Sequence, residues 1–128
     1  MVRRSAHSGS PYEERYGFAR GVRTGDRVEI AGTAPIPPAG ELVAHTAFDQ
    51  MMRCGEIAVA ALGDLGANTS DVIRTRMFIT DPDDADDVGR AHHEVFGTAN
   101  PASTMVVVAA LLDPAWKVEL EVEAVVEA

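Results

Sequence analysis

Three glutamates at alternate positions near the end of the chain, Glu119, Glu121 and Glu123, have the clearest potential for chemistry. Apolar residues separate them, so a β-strand over 117–126 would place all three carboxylates on one face. Like charges held this close raise the pKa of a carboxyl group. On a solvent-facing strand these charges would only discourage aggregation. Beneath a second subunit, one of the glutamates becomes a candidate general acid or base.

The other titratable side chains fit structural roles better. His92 and His93 are adjacent on a predicted helix, so they point about 100° apart and cannot share a metal ion. We predict that His92 lies in the core or at an interface, and that Cys54 is a packed, unreactive thiol. The aspartates within 81–87 suit the dipole at a helix start. The sequence has no phosphate-binding loop and no zinc-ligand spacing, so it predicts no metal site.

Length and charge limit the class of protein. The 128 residues indicate one domain, and the net charge is −9. Nucleic acids and anionic membrane surfaces both attract basic faces, so neither is an expected partner. No apolar run approaches the ~18 residues of a membrane span, and because residues 1–10 are polar we expect no secretory signal. Because the single Cys54 excludes an internal disulfide, we expect a cytoplasmic protein.

Hydrophobic periodicity predicts a loosely ordered segment over residues 1–15 and one folded domain over residues 16–128. Within the domain, turn residues and helix caps separate strand patterns from two amphipathic helices. Thr46 is the predicted N-cap of the first helix and Asp81 of the second. The predicted elements are strands over 16–23 and 27–33, a helix ending at Gly66, a strand over 71–80, a helix ending at Gly97, and strands over 103–110 and 117–126.

This order, β-β-α-β-α-β-β, predicts an α+β fold with a mixed sheet and two helices on one face. The strand over 71–80 lies between the helices, so at least one parallel pairing through a crossover is expected. The short loop containing Asp113 and Pro114 predicts an antiparallel hairpin between the last two strands. Because the strand over 103–110 is apolar on both sides, we expect a second subunit to cover the face away from the helices.

Four segments carry a pattern in a fixed order. They are the run from Gly25 to Thr33, the strand over 71–80 with the following Asp-Pro, the run from Asn100 to Val106, and the run from Val118 to Glu121. Each segment is a weak signal alone. Their order and spacing, across residues 16–126, resemble the reactive intermediate deaminase family, also called Rid or YjgF.

The resemblance implies a chorismate-mutase-like α+β subunit and a homotrimer with ligand pockets at the subunit interfaces. Active members of the family hydrolyse 2-imino acids to 2-keto acids and ammonia, and they need neither a metal nor an organic cofactor. An arginine binds the substrate carboxylate, because a guanidinium suits bidentate contact. A water held by a glutamate and backbone carbonyls attacks the imine carbon.

Position by position, the resemblance is partial. The family glutamate falls on Glu119 and the strand glycine on Gly32, and both are retained. The carboxylate-binding arginine falls on Ser103 and is therefore lost. The other family positions that differ are occupied here by Phe18, Ala31, Arg90 and Met105.

The lost arginine changes the expected function. Losing a buried bidentate charged contact costs on the order of 2–5 kcal/mol of binding, and Ser103 cannot supply that contact. We therefore expect the standard 2-imino acid reaction to be absent or weak. A pocket for another small metabolite is expected instead, with Glu119 as the acid, base or water-holding group. The expected lining comprises Phe18, Ala31, Gly32, Ser103, Thr104 and Met105.

Two other functions remain open from the sequence. One is an imine or enamine deaminase in which Arg90 or Arg20 binds the substrate carboxylate. The other is a ligand sensor or chaperone-like protein without catalytic activity. Some relatives of the family are described as ribonucleases, a function that the charge of −9 disfavours.

Overall fold

The fold is a mixed six-stranded sheet with helices packed against it, in a computed structural model that describes residues 2–127. The strands are β1 (Arg3–Ala6), β2 (Gly21–Thr24), β3 (Arg27–Thr33), β4 (Val72–Ile79), β5 (Ala102–Val107) and β6 (Val118–Val125). The helices are α1 (Pro11–Tyr16), α2 (Ala47–Asp64) and α3 (Ala85–Phe96), and short 3₁₀ turns cover Thr69–Asp71 and Pro82–Asp84. From β2 onward, this order is the predicted β-β-α-β-α-β-β.

The strand order β1-β2-β3-β6-β4-β5 confirms one prediction about pairing and overturns another. β4 and β5 are parallel, as expected for strands joined through α3. The predicted antiparallel hairpin between the last two strands is wrong, because β6 lies between β3 and β4 and does not pair with β5. Once α3 has placed β5 on one edge of β4, the other edge of β4 is the position left for β6. The connection after β5 therefore crosses to the far side of β4.

Alternation along β6 divides the sheet into a covered face and an open face. Val118, Leu120, Val122 and Ala124 are all buried on the side of α2. The intervening glutamates point to the opposite face, as the alternating pattern predicted. α2 and α3 pack against each other, and their buried side chains complete the core. The predicted placement of two helices on one face is therefore confirmed.

The helix ends show which cap signals operate. The Thr46 hydroxyl accepts a hydrogen bond from the backbone N–H of Asp49 at 3.1 Å, so Thr46 is the N-cap of α2, as predicted. Gly66 has a φ of 77°, the left-handed conformation in which glycine is least strained. Asp81 caps the 3₁₀ turn Pro82–Asp84 through the N–H of Asp83. The α-helix itself begins only at Ala85, later than predicted.

Residues 2–15 contain two regular elements, whereas the sequence predicted a loosely ordered segment over 1–15, of which Met1 lies outside the described residues. β1 pairs with β2, and α1 follows with Ser10 as N-cap and Pro11 at its first position. Pro11 suits that position because its fixed φ is helical and its missing N–H would have no partner there. The strand predicted over 16–23 starts only at Gly21, because α1 extends to Tyr16.

β5 lies at an edge of the sheet and is only partly covered within one chain. Val106 is 42% exposed and Val107 is 53% exposed, so the predicted cover on both faces does not come from this subunit. Within the described part of the chain, no helix is long and apolar enough to cross a membrane.

Candidate functional site

A cavity of about 640 Å³ opens where β3 and β6 approach α1. Its size falls in the range of small-molecule pockets, which is about 300–1,000 Å³. Two loops, 34–39 and the segment before β6, complete its walls. The lining comprises Ser8, Gly9, Ser10, Tyr12, Tyr16, Phe18, Arg20, Ala31, Gly32, Thr33, Ala34, Ile36, Pro37, Pro38, Ala39, Arg53, Ile57, Leu112, Trp116, Glu119 and Glu121.

Glu119 is distinct from the other two glutamates on its strand. Glu123 lies 2.8 Å from Arg27 and 3.0 Å from Arg76, so two cations balance its charge. Arg76 also lies 3.8 Å from Glu121. Glu119, by contrast, forms no ion pair with any residue in 2–127, and its carboxylate faces the cavity. Burial raises the pKa of Glu119, the positive charge of Arg20 opposes that rise, and the negative charge of Glu121 adds to it.

Gly32 determines how closely the Glu119 carboxylate can approach the backbone of β3. A Cβ atom on Gly32 would lie 2.6 Å from Glu119 Oε2, a distance that real contacts do not reach. The pairing of β3 with β6 is also irregular between Ile30 and Thr33. Such an irregularity turns side chains and carbonyl groups away from their regular directions. The missing side chain therefore makes room for the carboxylate against β3.

Arg20 is a buried cation in the same cavity, with 4% of its surface exposed. Its Nε donates a hydrogen bond to Glu13 Oε2 at 3.1 Å. Its Nη1 donates to the carbonyl oxygen of Gly32 at 2.5 Å and to Thr33 Oγ1 at 3.2 Å. No hydrogen bond joins Nη2 to the described residues. Arg20 thus links α1 to β3 and keeps one guanidinium nitrogen available to a ligand.

Glu13 links the N-terminal segment to Arg20 in the cavity. Its carboxylate accepts hydrogen bonds from the backbone N–H and the hydroxyl of Ser8 as well as from Arg20. The ring nitrogen Nδ1 of His7 lies 3.1 Å from Oε1. Burial raises the pKa of Glu13, but the hydrogen bonds from Ser8 and the contact with Arg20 outweigh it and hold the pKa below its usual value. α1 is therefore attached through charge as well as packing.

Four aromatic residues line the cavity, and we refer to Tyr12, Tyr16, Phe18 and Trp116 as the aromatic wall. The rings of Tyr12 and Trp116 meet edge-on with centroids 5.7 Å apart, and Tyr12 and Tyr16 lie 5.9 Å apart. The guanidinium carbon of Arg20 lies 5.4 Å from the ring centre of Phe18. One ring of the aromatic wall, that of Phe18, therefore lies beside the buried cation.

The structure brings together only part of the site predicted from sequence. Phe18, Ala31, Gly32 and Glu119 all line the cavity. Arg90 does not, because it lies on the exposed side of α3, where it donates a hydrogen bond to Asp87 at 2.7 Å.

Ser103, Thr104 and Met105 lie on the edge strand β5 and do not line the cavity within one chain. The Ser103 hydroxyl accepts a hydrogen bond from Thr75 Oγ1 at 2.8 Å, and Thr75 also lies 2.7 Å from His92 Nε2. Thr104 Oγ1 accepts from Arg74 Nη2 at 2.8 Å.

His92 is thus partly buried and hydrogen-bonded, as its predicted structural role requires, and burial together with the neighbouring His93 lowers its pKa.

The cavity residues that sequence reasoning missed come mainly from the N-terminal segment and the loop before β6. Tyr12 and Trp116, which line the cavity, and Glu13, which accepts a hydrogen bond from Arg20, have neither a motif nor a periodicity that would mark them as part of a site. The Ser10-Pro11 helix start was the available signal for α1, and it would have placed Glu13 and Tyr12 on a helix. The positions of Tyr12 and Trp116 at the cavity, and of Glu13 beside Arg20, depend on tertiary packing.

Comparison with known proteins finds relatives that match almost the whole chain. A family model described as endoribonuclease L-PSP matches residues 11–126. An uncharacterised protein of Streptomyces coelicolor is 40% identical over 121 residues, covering 94% of this chain and 90% of that protein. A crystal structure from Mycobacterium tuberculosis, described as a member of the YjgF/YER057c/UK114 family, has 35% identity and a TM-score of 0.89 over 98% of this chain and 100% of that one. Escherichia coli TdcF, solved with bound serine, has 25% identity and a TM-score of 0.78 over 97% and 94% of the two chains.

Proposed function

The chain belongs to the endoribonuclease L-PSP family, the YjgF or Rid proteins, and on that premise we propose that its cavity binds and turns over a small metabolite. The observation that carries the proposal is the position of Glu119. Its carboxylate lies against Gly32, faces a cavity of about 640 Å³ and is not neutralised by an ion pair with the described residues. A carboxyl group with a raised pKa in a cavity is the usual arrangement for a general acid or base.

We assign Glu119 the role of holding a water or transferring a proton. In its ionised form it accepts a proton from a water that attacks a polarised carbon of the ligand. In its protonated form it returns that proton to the leaving group. Burial keeps both forms accessible closer to neutral pH than for an exposed glutamate, because it disfavours the charged form.

Ser103 supports the second part of the proposal, that simple 2-imino acids are poor substrates. Its hydroxyl is occupied by Thr75, and it carries no charge for a substrate carboxylate. In a homotrimer, we propose that the exposed edge strand β5 of a neighbouring subunit completes the cavity and brings Ser103, Thr104 and Met105 to it. The exposed Val106 and Val107 favour such a contact, since a partner would cover them.

The direct test is turnover and ligand binding by Glu119→Gln beside Glu123→Gln. Glu123 is the matched control, because it lies on the same face of the same strand but not in this cavity. We expect loss of turnover in Glu119→Gln with the folded state intact, and wild-type turnover in Glu123→Gln. Unchanged turnover in Glu119→Gln contradicts the assignment. A monomer in light scattering contradicts the part of the proposal that uses β5.

A second candidate function is hydrolysis of imines or enamines with Arg20 as the carboxylate-binding group. The position of Arg20 in the lining of the same cavity as Glu119 favours it, whereas Arg90 is exposed and does not line this cavity within one chain. Ammonia release from enzymatically generated iminopropionate measures this activity. We expect Arg20→Gln to abolish any such activity and Arg90→Gln to leave it unchanged. Full activity in Arg20→Gln together with loss of activity in Arg90→Gln excludes this candidate.

A further inference from the structure

We infer that the cavity selects ligands that combine a carboxylate with a flat aromatic ring, the carboxylate bound by Arg20 Nη2 and the ring by the aromatic wall. The inference rests on the proposed function and adds the chemical class of the ligand. It uses two features that the family resemblance does not assign, a cation on β2's N-terminal side and the side chains of α1.

The first support is the state of the Arg20 guanidinium. Glu13 occupies its Nε, while Gly32 and Thr33 occupy its Nη1. These contacts hold the guanidinium plane in one orientation before a ligand arrives, so little side-chain entropy is lost on binding. Nη2 keeps its donors without a partner in the described residues, and a carboxylate is the acceptor that forms the strongest hydrogen bonds with them.

The second support is the surroundings of that guanidinium. Arg20 is 4% exposed, so a hydrogen bond to a charged group there is little weakened by solvent. The ring of Phe18 lies beside the guanidinium, and Tyr12, Tyr16 and Trp116 line the same cavity. A ligand whose carboxylate reaches Arg20 therefore places its remaining atoms against aromatic surface. Rings packed edge-on or offset attract each other beyond the effect of their buried area.

The charges around the cavity set the pH dependence of such binding. Glu119 and Glu121 face it from β6, Arg53 faces it from α2, and Glu13 lies behind Arg20 on α1. Ionised Glu119 repels a ligand carboxylate, whereas protonated Glu119 donates a hydrogen bond to it. Binding of an aromatic carboxylate therefore weakens as pH rises through the range in which Glu119 ionises.

Phenylacetate is a suitable probe, because two small relatives each lack one of its groups. 2-Phenylethanol keeps the ring without the charge, and acetate keeps the charge without the ring. In a calorimetric titration of the wild-type protein, the affinity for phenylacetate should be about tenfold or more above that for either relative. One hydrogen-bonded contact between charged groups supplies a difference of this size. Equal affinities for phenylacetate and 2-phenylethanol, or no binding of phenylacetate, overturn the inference.

Variants separate this inference from the proposed function. Tyr16 is 60% exposed, so Tyr16→Ala should fold and bind phenylacetate more weakly while leaving acetate binding unchanged. Arg20→Gln should lose the preference for phenylacetate over 2-phenylethanol. Glu119→Gln should bind phenylacetate at least as tightly as wild type although its turnover is lost. If Glu119→Gln loses turnover but the wild type prefers 2-phenylethanol, the proposed function stands and the inference about ligand class fails.

Discussion

Replacing Glu13 by Gln tests whether charge fastens the N-terminal segment to the rest of the fold. The side chains of Arg20 and Glu13 are 4% and 3% exposed, and their atoms Nε and Oε2 are 3.1 Å apart. Removing one charge from a buried pair costs about 3–5 kcal/mol, since the other charge stays buried without its partner. Gln keeps an oxygen that can accept from the N–H of Ser8, so we expect a loss near the lower end, about 3 kcal/mol.

Thermal unfolding measures that loss directly. For a domain of this size, each kcal/mol lowers the melting temperature by about 4 °C, so Glu13→Gln should melt about 12 °C lower than wild type at neutral pH. Glu14→Gln is the matched control. Glu14 is the next residue of α1 and is exposed, so its substitution should change the melting temperature by no more than about 2 °C. Equal melting temperatures for the two variants refute the assigned role of the ion pair.

The pH dependence of the same measurement has a definite sign. The pKa of Glu13 in the folded protein lies below its ordinary value of 4.5, so the unfolded chain binds a proton more readily. The stability contributed by Glu13 is therefore complete above about pH 4.5 and is lost as the pH falls below it. The difference in melting temperature between wild type and Glu13→Gln should shrink over that acidic range. A difference that stays constant across it contradicts the electrostatic explanation.

Three further substitutions or reactions test other parts of the structure. Gly32→Ala should change the free energy of unfolding by no more than about 1 kcal/mol but lower turnover about a hundredfold, since the new Cβ displaces the Glu119 carboxylate. Gly63→Ala is the control, because the space around its Cβ is open, and it should show no loss of turnover. Cys54 is fully buried and burial raises its pKa, so a disulfide reagent should label it only after the protein unfolds. If the folded protein were labelled about as fast as a free thiol, that result would contradict the packing of Cys54. Ser103→Arg should raise iminopropionate hydrolysis above wild type if β5 of a neighbouring subunit reaches the cavity, and no gain would count against that arrangement.

Much of the fold followed from local patterns. The alternation along β6, the cap at Thr46 and the amphipathic α2 depend on neighbouring residues, so their sequence signals are strong. The partners of β5 and β6 depend on how the chain crosses the sheet. A short loop with Pro114 favours a hairpin locally, but the crossover through α3 had already committed β5 to the outer edge of β4.

The residues of the candidate site could also be predicted from the sequence only in part. Glu119 and Gly32 could be named in advance because the family resemblance places them, and the structure shows Glu119 Oε2 2.6 Å from the position that a Cβ on Gly32 would take. The pairing of Glu13 with Arg20 could not be read from spacing, since it depends on α1 folding back over the cavity. Sequence alone left both Arg90 and Arg20 open as the group that binds a substrate carboxylate, and burial separates them.

The central claim is that Glu119 is a partly buried carboxyl group at a ligand-binding cavity. The most direct measurement is an NMR titration of the Glu119 side-chain carboxyl carbon, with and without phenylacetate, using Glu119→Gln to assign the signal. We expect a titration midpoint above the ordinary value of 4.5 that rises further when phenylacetate is present. A midpoint at or below 4.5 that phenylacetate leaves unchanged would contradict the claim.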